Sequence, residues 1–229
     1  MTNQIDEKIT LFKEDIKSQK LSPEEVFQKH IIDGNSFFYE VYQNDLDSEY
    51  KAKKTITDFL ITDINNIRII GSAKLGYSLK PNNLFKLFDA KYEETNQNKD
   101  KSDIDIAIID DIVFERISKK LFEYTNSYSM SERWSENEYY NGNKLDRFEG
   151  IPLCFKYFEY YTKGWFRPDM KPQGFEICDN SNYEELKKIF FMNHKRKISL
   201  AIYKNWFYFK DYHLNNIKSL SFRIQSEVI

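Results

Sequence analysis

"NIRIIGSAKLGYSLKP", residues 66–81, decides the reading of this chain. Ile67 to Ile70 is a short isoleucine-rich run with the composition of a buried strand. It stops at Gly71-Ser72, and a short helix is expected to begin at Ala73. A strand-to-helix turn of this kind presents free backbone N–H groups and the positive end of a helix dipole, and both favour an anion. Gly71 leaves room for close approach, and the Ser72 hydroxyl can donate. Lys74, with Lys80 further on, adds charge. Gly71, Ser72 and Lys74 are therefore the candidate phosphate-binding residues.

The second decisive stretch is "KSDIDIAIID", residues 101–110. Its strict alternation predicts a strand with Asp103, Asp105 and Ala107 on one face and Ile104, Ile106 and Ile108 on the other. Carboxylates at i and i+2 leave the same face with Cα atoms roughly 6 to 7 Å apart. Such a pair can converge on a hard divalent cation, which takes oxygen ligands and commonly shares them with substrate phosphates. Two ions about 3.5 to 4 Å apart can serve both the attacking and the leaving oxygen of a phosphoryl displacement. Either motif alone has a bland reading, a solvated strand edge or an ordinary turn. Their conjunction, in this order and with a helix between, favours a site.

The arrangement strand, Gly-Ser, helix, strand bearing Asp-x-Asp resembles the DNA polymerase β-like nucleotidyltransferase superfamily. The motif stands here as Ile70-Gly71-Ser72 and Asp103-Ile104-Asp105-Ile106. The wording "GSAKLGYSL … SDIDIAIID" is also similar to compact bacterial nucleotidyltransferases of phage-defence operons. The resemblance implies Mg²⁺- or Mn²⁺-dependent transfer of an NMP or dNMP from a nucleoside triphosphate to a hydroxyl acceptor, with pyrophosphate released. Asp103 and Asp105 would be the metal ligands. The acceptor would be a growing oligonucleotide, a nucleotide signal, an RNA end or a protein side chain, with an operon-encoded effector protein as a further partner. The family places a third carboxylate on a later, neighbouring strand. Glu176 in "GFEICD" is the first candidate for it and Asp169 in "WFRPDM" the second, because "KISLAIYK" carries no acid. The connection from Ser72 to Asp103 is longer than the family's usual one, so the polar stretch after Pro81 is expected to be an inserted, exposed loop with one helical turn.

Outward from this centre, helices are expected where apolar residues recur at helical spacing. Ile5, Ile9, Phe12 and Ile16 mark one, and Ser22-Pro23 with Glu25 opens a second through a capping box. Ile56, Phe59, Leu60 and Ile64 mark a third, leading into the first strand. "DIVFERISKKLFEYT" and "YEELKKIFFMNHK" continue as helices, "RKISLAIYKNW" as a third strand, and "FYFKDYHLNNIKSL" as a closing helix. "IPLCFKYFEYY" is ambiguous between helix and strand. The fold expected is α+β, with a short mixed sheet flanked by N-terminal and C-terminal helices. Residues 1–65 would be a helical segment packed on a core of residues 66–229, in one structural unit.

Composition sets the limits. Lys plus Arg number 34 against 36 Asp plus Glu, a formal charge of −2, so any anion site must be local and not a global basic field. Cys154 and Cys178 have no CxxC companion and the histidines His30, His194 and His213 are scattered, which argues against zinc and against a disulfide scaffold. The charged first residues lack a signal-peptide core and no apolar run approaches the ~20 residues of a membrane helix, so a cytoplasmic protein away from the membrane is expected. Most of the 16 Tyr and 19 Phe are assigned to packing. The same holds for Trp165, His194 and His213, while Lys163, Arg167 and "NHKRKI" (193–198) read as surface charge that can also meet phosphate. Tyr139 and Tyr140 are structural by the same argument, although an exposed tyrosine can act as a primer. Two other classes stay open: a nucleotide-sensing module without turnover, and an antitoxin-like or scaffold partner. Homo-oligomerisation also stays open.

Overall fold

The computed structural model describes residues 2–129, 153–172, 174–179 and 182–226. Tyr139 and Tyr140 lie outside the described residues.

Strands β1 (Ile67–Ile70), β2 (Ile104–Ile109), β3 (Trp165–Phe166) and β4 (Ile198–Tyr203) form one mixed sheet in the order β1-β2-β4-β3. The β1 and β2 strands run antiparallel, β2 and β4 parallel, and β3 and β4 antiparallel. The fold is α+β, and the two parallel strands are near-continuous apolar runs because helices cover both their faces. On one face Ile104, Ile106, Ile108, Leu200 and Ile202 pack against α3 (Leu46–Leu60), α6 (Asp111–Tyr124) and α8 (Tyr183–His194). On the other, Ile70, Ala107, Ile109 and Tyr203 pack against α1 (Thr2–Ser18), α2 (Pro23–Phe27) and α9 (Trp206–Gln225). Asp105 and Ser199 alternate onto this second face, at the end of the sheet where its apolar lining stops.

Local chemistry sets the element ends. Ser22 accepts from the Glu25 amide at 3.2 Å while the Glu25 carboxylate accepts from the Ser22 amide at 2.7 Å, so the expected capping box is complete. The carboxylate of Asp15 on α1 accepts from Lys29 at 2.6 Å and lies 2.7 Å from His30 Nε2, clamping the first helix to the second. Asp110, the last residue of "SDIDIAIID", caps α6 through the Val113 amide at 3.0 Å and accepts from Asn66 at 2.9 Å and from Thr62, so β1 and β2 are tied together beyond their ladder. From Leu153 onward the ambiguous "IPLCFKYFEYY" is helical, as part of α7 (Leu153–Thr162). Trp165 is buried, stacked 4.1 Å from Tyr160, and so serves packing. Neither Cys154 nor Cys178 is in a disulfide. No helix among the described residues is long and apolar enough to cross a membrane.

The stretch after Pro81 differs from the exposed loop expected. Ser78 and Lys86 bond across a hairpin-like arm at 2.8 Å, and Phe88 and Asp89 are buried before helix α5 (Ala90–Thr95). The cause is distant in sequence. Asp89 pairs with Arg196 at 2.5 Å, both side chains being at most 3% exposed, and accepts from the Ser102 amide at 2.7 Å. An acid that looks solvated in sequence is the anchor of the insertion, and residues 93–99 are the longest run of the fully exposed polar stretch foreseen.

Candidate functional site

The site begins where β1 ends. Ile70 stands opposite Asp105 in the antiparallel ladder, so the chain turns directly over that carboxylate. Gly71 makes the turn at φ +66°, and a Cβ there would lie 2.5 Å from Asp105 Oδ2. The left-handed backbone favours glycine here, and a Cβ would also have to displace the Asp105 carboxylate. Helix α4 (Gly71–Leu75) follows and is closed by Gly76 in the left-handed conformation, whose amide donates to the Ser72 carbonyl at 2.9 Å. Gly71 is exposed and Ser72 half-buried, so the first turn of α4 is open beside Asp105. Its leading amides have no acceptor within the helix.

Asp103, just ahead of β2, is exposed, whereas Asp105 is half-buried. Burial pushes the Asp105 carboxyl up to about 6; Asp103 pushes in the same direction, and Lys80 and Arg167 oppose it. The two basic residues that act on Asp105 are therefore Lys80, on the insertion arm, and Arg167, just after β3. Lys74 is placed elsewhere, which corrects the expectation that it serves phosphate. Its ammonium donates to the carbonyls of Ile32, at 3.3 Å, and Gly34; the residue is 6% exposed, and burial lowers its pKa to about 8.

On the β4 side of the carboxylates lies a cleft of about 640 Å³. Asp103 and Ser199 border it together with Arg167, Asp169, Tyr183 and the exposed side of α8, including Lys187, Lys188, Phe191 and Met192. Arg167 grips Asp169 through two bonds, Nε to Oδ1 at 3.0 Å and Nη2 to Oδ2 at 2.6 Å. Glu176 stands outside this lining: Lys171 is 3.5 Å away and the Tyr183 amide donates to it at 3.4 Å, at the start of α8. The residue beside Asp105 on the neighbouring strand is Ser199, a hydroxyl and not a carboxylate.

No family model, curated protein or solved structure matches the chain.

The donor set can be tested for a divalent cation by its chemistry. Among the described residues no three His, Cys, Asp or Glu side chains come together. Asp103, just ahead of β2, and Asp105, within it, supply two carboxylates, a donor set of the kind that Mg²⁺ or Mn²⁺ completes with water and substrate phosphates and not an all-protein cage. The open turn at Gly71-Ser72 is next to Asp105. The basic "NHKRKI" divides: Arg196 is buried against Asp89, whereas Lys197 borders the cleft. Lys187, Lys188 and Ser199 carried no recognisable signal in sequence, because a helix lysine and a strand serine acquire a site only when α8 and β4 are docked beside β2.

Proposed function

We propose that the protein is a metal-dependent nucleotidyltransferase that moves an NMP or dNMP from a nucleoside triphosphate to an acceptor hydroxyl. The observation that carries this reading is the fit of Gly71 over Asp105, which sets the open first turn of α4 directly against a carboxylate of the Asp-x-Asp motif, so close that a Cβ would have to displace it. Gly71 and Ser72 would hold the outer phosphates, and Asp103 and Asp105 would hold Mg²⁺ or Mn²⁺, which supplies charge neutralisation at the phosphates when bound. Lys80 and Arg167 would add fixed positive charge around the transferring group. The acceptor oxygen forms a bond to the α phosphorus while the α–β bridging P–O bond breaks. Pyrophosphate leaves with the electron pair, and the hydroxyl proton passes to water.

The test is to incubate the protein with each labelled ribo- and deoxyribonucleoside triphosphate, with Mg²⁺ or Mn²⁺, and to follow the label. Soluble labelled products are expected, in keeping with an oligonucleotide or nucleotide signal of the kind made in antiphage defence; label retained on the chain would identify a self-modifying enzyme. Asp103→Asn and Asp105→Asn should each reduce transfer at least a hundredfold. If no triphosphate is consumed and neither variant changes nucleotide affinity, the enzyme reading fails.

A second reading has its own observation. Ser199 occupies the place beside Asp105 where a third carboxylate would stand, and Asp169 is held by Arg167. A module that binds nucleotide without turnover would be built this way, and it would give metal-dependent affinity with no pyrophosphate.

A further inference from the structure

The cleft along α8 lies apart from the phosphate turn. Strand order puts Gly71-Ser72 on the β1 side of Asp105 and the cleft on the β4 side. In a phosphoryl displacement the attacking and leaving oxygens are roughly in line. With pyrophosphate departing toward Gly71-Ser72, the acceptor hydroxyl would approach from the side away from that turn, and on the β4 side the cleft opens beside Asp103 and Ser199. Its walls indicate what that acceptor is. Lys187 and Arg167 are already matched by Glu184 and Asp169. Lys188 and Lys197 are exposed and have no carboxylate within ion-pair distance among the described residues. Asp103 is the one carboxylate of the lining without a cationic partner among the described residues, so Lys188 and Lys197 leave the cleft with a net positive charge in a chain whose own net charge is −2. Beside them Phe191 is 51% exposed and Met192 61%, an aromatic and a thioether surface left in water on the same helix. Cations with an open aromatic face are the means by which single-stranded nucleic acid is held, through phosphate contacts and base stacking. An acidic peptide would use the lysines and leave the ring uncovered.

We propose that this cleft receives the single-stranded end of a nucleic acid, with backbone phosphates on Lys188 and Lys197 and a base stacked on Phe191. The assignment of that end as acceptor rests on the nucleotidyltransferase reading; the binding itself does not. A volume of about 640 Å³ lies within the range of small-ligand sites and takes a terminal nucleotide, with the strand running out along α8.

The experiment measures fluorescence anisotropy of labelled single-stranded RNA, single-stranded DNA and a polyglutamate peptide with the full chain over a salt series. Triphosphate consumption is measured separately. The expected result is oligonucleotide binding that weakens at least tenfold in Lys188→Glu/Lys197→Glu and severalfold in Phe191→Ala, with the salt slope falling by about 1.4 for two lost single-strand phosphate contacts. The RNA and DNA arms identify the sugar. Should the charge-reversed protein not fold, Lys188→Gln/Lys197→Gln gives the same readout. Oligonucleotide affinity unchanged by these substitutions, no oligonucleotide binding, or tighter binding of polyglutamate in the same lysine-dependent way would each overturn the inference. Lysine-dependent oligonucleotide binding with no triphosphate consumed would leave the cleft assigned and refute the transferase reading; consumption without oligonucleotide binding would do the reverse.

Discussion

At the residue scale, the site depends on a hydrogen atom. Gly71→Ala would place a methyl group 2.5 Å from Asp105 Oδ2 on a backbone at φ +66°. The left-handed conformation alone costs about 1–2 kcal/mol with a side chain, and the contact must push the carboxylate away. Urea unfolding should show a loss of at least that size, together with loss of nucleotide transfer. Unchanged stability would mean that the turn is not held as described. Asp105 also has a pH signature. Its carboxyl is raised to about 6 from an ordinary 3.8, first by burial and then by Asp103. Between those values the folded state holds the proton more tightly than the unfolded state, so this group's contribution is present below about pH 4 and is lost as pH rises through about 6. In metal-free protein, Asp105→Asn should match wild-type stability near pH 4 and exceed it above pH 6, read as Tm against pH. A constant difference across that range would refute the shift.

At the element scale, the Asp89–Arg196 pair determines how the insertion meets the sheet. Arg196 enters from the turn between α8 and β4, with its guanidinium 5.0 Å from the Tyr42 ring and 5.7 Å from the Phe38 and Phe88 rings. Asp89 also holds the Ser102 amide, directly before Asp103. Removing either partner leaves a buried charge, a cost of about 3–5 kcal/mol. Asp89→Ala and Arg196→Ala should each destabilise by that order, while the double variant loses clearly less than the sum. Additive losses in chemical denaturation would show that the pair is not coupled. Loosening this contact should also weaken metal-dependent nucleotide binding, since it frees the start of β2.

At the scale of the whole molecule, the N-terminal helices are part of the core. Phe12 and Phe27 are at most 1% exposed, and they cover the sheet face that also carries Asp105 and Ser199. Ile5, on the same first helix, joins the opposite cluster with Phe37 and Ile56. Deleting residues 1–33 should therefore abolish cooperative thermal unfolding and leave a chain that binds hydrophobic dye. A truncated chain that melts sharply would show the segment to be an appendage.

Much of the fold and of the site is legible in the sequence. Ile67–Ile70, Asp103-Ile104-Asp105 and the Ser22 capping box report local physics: alternation, β-branched composition and a serine three residues before a glutamate. The placement of Lys74 away from the turn follows from local geometry. At 3.6 residues per turn it lies about 200° round from Ser72, so a lysine two positions along is on the far side of the helix. Other features depend on contacts between residues far apart in the chain. Asp89 looks like one polar residue among many until Arg196 reaches it, and the lysines of α8 border a cleft only because β4 pairs parallel to β2. By itself the sequence determined the turn, the spacing of the carboxylate pair and the alternation of β2, since each is written in neighbouring residues. Tertiary structure alone decided which basic residues surround them, which residue stands beside Asp105 and where a second ligand can enter, since burial and strand order are properties of the assembled chain.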